Sequence, residues 1–186
     1  MTVLSLLGKP VTSFPYQRIN IVGAPGSGTS TLGRTLATRI GFGFADADDF
    51  YWKPTTPPFQ EKFDPDLRLK MILSHLKGLD GTVVSGSVCG WGSDLEDSFD
   101  LVVFLAVPTA LRLQRIEARE KSLFGSANPE FLAWVAQYDE GRLPGRSRPR
   151  HEAWLATRQC QVLRFEGDAG IDQRIGQIIE FATQPS

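Results

Sequence analysis

The chain has few of the residues that metal centres and disulfide frameworks are built from. Its 186 residues include two cysteines, Cys89 and Cys160, and two histidines, His75 and His151. The cysteines lie far apart and match no metal-ligand spacing, a usage that suits a reducing compartment. An excess of either charge is also missing. Twenty Lys and Arg against 21 Asp and Glu leave a formal net charge of -1, so the chain as a whole offers no electrostatic case for nucleic acid. Long apolar runs are absent too. The stretch Val3 to Leu7 is too short for a signal-peptide core or a membrane span. No internal repeat and no low-complexity segment stands out. These absences lead to the expectation of a cytoplasmic protein with no membrane or nucleic-acid partner. The composition is that of an ordinary globular chain, 41% hydrophobic and 22% charged, which argues against disorder. The length fits one domain, residues 1–186, with a real core.

One stretch organises the rest: Arg18 to Thr31, RINIVGAPGSGTST. Ile19-Asn20-Ile21-Val22 reads as a buried strand. The turn Gly23-Ala24-Pro25-Gly26-Ser27-Gly28 follows, and a helical pattern opens with Leu32, Leu36 and Ile40 on one face. A strand, a glycine-rich turn and a helix N-terminus in that order form an anion site. The spacing is that of the phosphate-binding P-loop, G-x-x-x-x-G-K-[ST], with Gly23 and Gly28 as outer glycines and Ser30 as the hydroxyl expected on a metal. Thr29 occupies the lysine position. It can donate one neutral hydrogen bond but brings no positive charge, and charge-assisted bonds are roughly twice as strong.

The remaining chain alternates strand and helix patterns. Residues 1–17 read as an N-terminal arm with a short helix at Thr2 to Leu7. Gly41 and Gly43 end the first helix, and a second strand at Gly43 to Ala45 leads into Asp46-Ala47-Asp48-Asp49. A proline-rich loop, Pro54 to Pro58, precedes a helix capped by Asp64 or Asp66 and running to about Leu79. Thr82 to Ser85 is a third strand, and the glycine-rich Gly86 to Ser93 lines a site. Leu101 to Leu105 is a wholly apolar fourth strand, and Pro108 and Thr109 open a helix carrying Arg112, Arg115 and Arg119. Residues 121–150 are more irregular, with a helix from Pro129 to about Tyr138. A helix at His151 to Thr157, a fifth strand at Gln161 to Phe165 and a last helix capped by Asp168 complete the chain. This order gives an α/β fold, a parallel sheet with helices on both faces and its ligands at the carboxyl ends of the strands. Gly23–Ser30, Asp46–Asp49, Gly86–Ser93 and Glu166–Asp168 all fall at such ends.

Several constellations suit phosphoryl transfer. That reaction needs a carboxylate to orient or deprotonate a hydroxyl, and carboxylates near a metal's water shell. While the chain stays extended, alternation points Asp46 and Asp48 to one side; the alternative is a helix cap with solvated acids. Arg112, Arg115 and Arg119 share a helix face and can point together at phosphate oxygens, or else form an exposed face paired with Glu117 and Glu120. Arg142, Arg146, Arg148 and Arg150 sit among glycines and prolines. They can close over a transferring phosphoryl group, or belong to a solvated loop or a basic patch. Phe50, Tyr51, Trp52, Phe59 and Trp91 either stack on a base or sugar or fill core. Cys89 reads as an inert small residue, and His75 and His151 as ordinary helix residues.

At GAPGSGTSTLGRTLA, DADDFYW, SGSVCGWG and RLQRIEARE, the chain resembles P-loop kinases of the adenylate kinase and shikimate kinase group, in particular small adenylate kinase-like or AAA-type ATPases of unassigned substrate. The resemblance runs from Arg18 to the C-terminus. It implies a P-loop NTPase fold of five parallel strands in the order 2-3-1-4-5, a mobile lid in 121–150, and ATP with magnesium. By position, Gly23, Ala24, Pro25, Gly26, Ser27, Gly28, Thr29, Ser30 and Thr31 would cradle donor phosphates, and Ser30 and Asp46 would serve magnesium. Arg115 and Arg119 match an R-x-x-x-R that serves nucleotide phosphates, and Arg146 would be a lid arginine. Gly167 lies in the loop that passes the adenine. Asp46-Ala47-Asp48 is similar to a D-x-D that places the acceptor hydroxyl.

Three departures qualify what the resemblance implies. Thr29 replaces the lysine, with Lys53 or a lid arginine as substitutes for its charge. Ser85-Gly86-Ser87 stands where nucleoside monophosphate kinases have D-G-x-P-R. No arginine is found after the second strand, where those enzymes hold the acceptor's phosphate. The expectation is an ATP-dependent kinase of a small-molecule hydroxyl, with a nucleotide-binding regulator of little turnover as the alternative and a nucleic-acid-associated NTPase as a third reading weakened by the net charge.

Overall fold

The computed structural model describes residues 14–184. Alternation along β1 (Arg18–Gly23) sends Ile19 and Ile21 to one face of a sheet and Val22 to the other. The same period on β4 (Leu101–Ala106) separates Leu101, Val103 and Leu105 from Val102 and Phe104. With β2 (Gly43–Asp46), β3 (Thr82–Ser85) and β5 (Gln161–Glu166), these form a five-stranded parallel sheet in the order β2-β3-β1-β4-β5. Both faces are therefore apolar and both need cover. On one face lie α1 (Thr29–Ile40), through Leu32, Leu36 and Ala37, and α8 (Ile171–Thr183), through Ile175, Ile178 and Ala182. On the other lie α3 (Pro65–Leu76), through Ile72 and Leu76, and α4 (Ser93–Glu96), through Leu95. There α7 (Arg148–Ala156) joins through Trp154 and Leu155. The remaining helices are α2 (Ala47–Tyr51), α5 (Thr109–Phe124) and α6 (Pro129–Ala136). Because every pair in the sheet is parallel, all five strands end on one edge. Gly23 pairs in register with Leu105, and Asp46 with Ser85.

Helix ends follow local chemistry. Gly41 closes α1 in the left-handed region at φ 75°. Asp64 caps α3 by accepting from the amides of Asp66 and Leu67, with Pro65 at the first helical position. Four expectations are corrected. The chain turns helical at Ala47, so Asp46 and Asp48 do not share an extended strand. The α3 helix stops at Leu76, before the Gly78 that a run to Leu79 would have to include. Ser147 caps α7, so that helix starts at Arg148 and takes in Arg148 and Arg150 of the basic run. Gly170, not Asp168, precedes α8, and no side chain caps it. The helix expected at Thr2 to Leu7 lies outside the described residues. The end of the arm is in the core, where Phe14 is buried against Phe42.

Candidate functional site

The loop after β1 is shaped by close contacts. A Cβ at Gly23 would come within 2.7 Å of the Leu105 carbonyl oxygen. Gly26 sits at φ 80°, and a Cβ there would meet the Arg112 carbonyl oxygen at 2.7 Å. The loop is thus pressed between β4 and the start of α5, with glycine where no side chain fits. Ser27 is fully buried and its hydroxyl has no partner among the described residues. The amides of Gly26, Gly28, Thr29 and Ser30 also lack a protein acceptor among them. These unanswered donors at the positive end of α1 fit an anion such as a phosphate. Beside them lies a cavity of about 350 Å³, lined by Ser27, Gly28, Thr31, Arg115, Asp168 and Arg174 among others. Gly167 itself is tied down, its amide on the Ala106 carbonyl and its carbonyl on Arg174, and the three residues after it line the cavity.

The three arginines of α5 do not act together. Arg112 is fully buried and donates to the carbonyls of Val107 (2.9 Å) and Val135 (3.4 Å), to Thr109 Oγ1 (2.7 Å) and to Asp139 (2.7 Å). It fastens α5 to the segment after α6 and is neither a phosphate ligand nor an exposed charge. Arg115 alone lines the cavity, 2.6 Å from Asp168. Arg119 has emerged into solvent and pairs with its neighbour Glu120 at 3.0 Å. Position on α5 decides this: Arg112 lies on the face buried with Ile116 and Glu120, whereas Arg119 lies off it. Arg174, which no sequence motif marks, is buried beside the same cavity, and its Nε has no partner among the described residues. Burial lowers its pKa from the usual value.

The acids after β2 divide. Asp46 caps α2, its carboxylate accepting from the Asp48 amide at 3.1 Å. Asp48 turns the other way and meets Arg146 at 3.2 Å. Burial, with the charges of Asp46 and Asp48, raises the Asp49 pKa against the pull of Arg34. Among the described residues, no group of three or more His, Cys, Asp or Glu side chains forms a metal cage. Magnesium is usually held by one or two carboxylates, substrate phosphates and water. Asp46 and the Ser30 hydroxyl, at the ends of β2 and the loop, fit that pattern.

A second cavity, of about 250 Å³, holds Asp48, Tyr51, Arg68, Trp91, Arg146 and Arg150, together with Ser87 and His151. Arg68, which no sequence motif marks, is the arginine that α3 brings to this cavity. It projects from α3 and stacks over Trp91 at 4.7 Å and Tyr51 at 5.0 Å. Its Nε is buried without a partner, and no carboxylate pairs with it among the described residues. The aromatic residues also divide. Tyr51 and Trp91 stack on each other and line the cavity, whereas Phe50 packs on His75, and Trp52 on Phe59. Lys53 pairs with Glu61 at 3.1 Å and lines neither cavity. Burial pushes the Cys89 thiol up to about 11, in keeping with an inert residue.

His151 is no ordinary helix residue. It is fully buried, 2.6 Å from the Tyr138 hydroxyl and 2.9 Å from Ser87 Oγ. Burial, aided by the charges of Arg146 and Arg150, lowers its pKa to about 4. Its partners are 13 and 64 residues away in sequence, which left no local signal to find it by.

Residues 19–128 match the model of the AAA domain family. The chain is 35% identical over 175 residues to the uncharacterized protein YqaC of Bacillus subtilis, covering 89% of this chain and 97% of that one. It is 33% identical over 124 residues to the shikimate kinase of Halorhodospira halophila, covering 61% and 70% respectively. Among solved structures, the shikimate kinase from Acinetobacter baumannii in complex with shikimate superposes with a TM-score of 0.57 over 90% of this chain and 93% of that chain, at 20% identity. That likeness establishes the shared fold.

Proposed function

The chain belongs to the AAA domain family, within the P-loop small-molecule kinase superfamily, and on that premise we propose that it is an ATP-dependent phosphotransferase acting on the hydroxyl of a small anionic metabolite. The observation that carries this reading is the Asp48–Arg146 pair in the second cavity. A carboxylate from the first turn of α2, just past β2, and an arginine from the 121–150 segment meet there, on the strand edge that also holds the phosphate loop. Residues 1–186 then form one domain, with 121–150 as its lid.

In this reading Gly23 to Thr31 hold the donor phosphates, with Arg115 as the nearby cation and the loop around Gly167 beside the adenosine end. Ser30 and Asp46 hold magnesium, which supplies charge neutralisation to the phosphates when bound. Asp48 orients the acceptor hydroxyl and takes its proton. The hydroxyl oxygen bonds to the γ-phosphorus as the bond to the bridging oxygen of ADP breaks. Arg146 leaves Asp48 for the transferring phosphoryl oxygens. Arg68, with no acid of its own, binds the acceptor's carboxylate or phosphate, and Tyr51 and Trp91 fix its plane.

The test is a phosphoryl-transfer screen with ATP, magnesium and a panel of hydroxy acids, sugar acids, sugar phosphates and uncharged nucleosides. Turnover confined to anionic acceptors supports the reading, and turnover confined to uncharged nucleosides refutes the role of Arg68. A second reading, a nucleotide-binding regulator without turnover, is favoured by Thr29 and Ser85, two uncharged residues where related kinases carry charge. Saturable ATP binding with no product from any acceptor would establish it.

A further inference from the structure

Tyr138, His151 and Ser87 form a hydrogen-bonded chain that phosphoryl transfer as described above does not use. Tyr138 is 3% exposed, and its hydroxyl has one partner among the described residues, His151 Nδ1 at 2.6 Å. A buried phenol that donates to nothing is costly, so its hydrogen goes to Nδ1. The imidazole is neutral, since burial holds its pKa near 4, and a neutral ring with Nδ1 as acceptor carries its hydrogen on Nε2. Nε2 therefore donates to Ser87 Oγ at 2.9 Å. Turning the ring over would put Cδ2 and Cε1 where Nδ1 and Nε2 stand and lose both hydrogen bonds, and Phe104 and Tyr138 pack on it edge-on. Ser87 accepts from the histidine, so its own hydrogen is left to donate. Ser87 lines the second cavity, where among the described residues its hydrogen reaches only the sulfur of Cys89, a weak acceptor that an anionic oxygen displaces.

We propose that the Tyr138–His151–Ser87 chain fixes Ser87 as a hydrogen-bond donor to an anionic oxygen of the phosphoryl acceptor, which makes Ser87 a specificity-determining contact and His151 its positioning residue. This rests on the reading of the second cavity as the acceptor site. An acceptor carrying a carboxylate or phosphate at that end meets the Ser87 hydrogen and the guanidinium groups of Arg68, Arg146 and Arg150. One carrying an ammonium group meets the same hydrogen and the same three positive charges, and is rejected.

Two measurements test this. The first is nitrogen NMR of the wild-type protein labelled with ¹⁵N-histidine, near neutral pH. The expected result is His151 neutral, with its hydrogen on Nε2. A hydrogen on Nδ1 overturns the proposal, and the measurement needs no variant. The second is a titration of wild type, Ser87→Ala and Ser87→Thr with inorganic phosphate, followed by NMR at the Trp91 indole for the second cavity and at the Gly28 amide for the loop. Ser87→Ala should weaken phosphate about tenfold or more at Trp91 and leave Gly28 unchanged, and Ser87→Thr should restore it. Equal affinity at Trp91 in wild type and Ser87→Ala overturns the proposal. A wild-type response at Gly28 with none at Trp91 overturns it too, and leaves the nucleotide site standing. A response at neither place removes the phosphotransferase reading, and the acceptor role of Ser87 with it.

Discussion

Arg68→Met should separate binding from folding. The guanidinium has no carboxylate partner among the described residues, so its removal strands no acid. What the fold loses is stacking on Tyr51 and Trp91, at about 0.5–1 kcal/mol for each such contact. What it gains is relief from a buried, unanswered Nε, a group that costs about 1–3 kcal/mol. These oppose each other, so the outcome should lie between about 1 kcal/mol lost and about 2 kcal/mol gained. Binding has no such offset. A hydrogen bond to a charged group contributes about 1.5–3 kcal/mol, so anion affinity in the second cavity should fall about ten- to a hundredfold. Arg68→Lys should recover only part of this, because an ammonium lacks the planar fork that grips two oxygens. The assays are urea denaturation for stability, phosphate titration read at Trp91, and kcat/KM with whichever acceptor the screen identifies. A variant that loses several kcal/mol of stability while binding phosphate as wild type does would show that Arg68 is only a brace for the two rings.

Asp48→Asn should lower turnover by about 10²–10⁴-fold with ATP affinity within a few-fold; full activity would remove Asp48 from the proton transfer. Thr29→Lys should change ATP affinity by less than about tenfold, whereas Arg115→Ala should weaken it about ten- to a hundredfold. The reverse pattern in ATP titrations would mean that the loop's charge is simply missing. His151 predicts a pH dependence of stability. The unfolded chain takes up its proton near the ordinary 6.5 and the folded chain only near 4, so the unfolded state binds more protons between those values and stability falls as pH drops through that window. The gap corresponds to about 3 kcal/mol. Urea denaturation from pH 7 to 4 should show the loss in wild type and much less of it in His151→Gln.

What was legible in the sequence was local. The strand, the loop and the helix from Arg18 to Ile40 are contiguous, and each part is dictated by neighbours a few residues away. The alternation of strands and helices gave the parallel sheet, and the resemblance supplied its order. Side-chain direction was not local. Arg112, Arg115 and Arg119 share a helical period, but Arg112 lies on the face buried with Ile116 and Glu120 and Arg119 lies off it. Asp46 and Asp48 parted because the helix began one residue after the strand, which the pattern of three acids does not reveal. Arg68 is a lone arginine on an amphipathic helix and reads as solvent-facing until Tyr51 and Trp91 are brought under it from two other segments. No composition signal marks His151, whose role depends on Ser87 and Tyr138 arriving from separate loops.

The placement of charge bears on how the missing lysine is to be understood. A lysine in the loop would stand at the phosphates whether or not nucleotide were bound. In this chain the positive groups lie on the flanks, Arg115 on α5 and Arg174 at the foot of α8, and each is engaged with the segment around Gly167 and Asp168. For Arg115 to serve a phosphate it must leave Asp168. The two side chains are 42% and 35% exposed, and a pair in that setting is worth about 0–1 kcal/mol, so the exchange is cheap. A cation that moves only when nucleotide arrives also ties the loop after β5 to the occupancy of the phosphate loop, since Asp168 is freed in the same step. The second cavity follows the same economy of acids. It holds three guanidinium groups around a single carboxylate, and that carboxylate is paired with the arginine that the reaction would draw away. In both places, under the proposed function, a substrate oxygen would take the partner's place in a resting pair. Thr29 is thus consistent with an enzyme whose phosphate charge is supplied by displacement, and the contrast between Thr29→Lys and Arg115→Ala is the measurement that decides it.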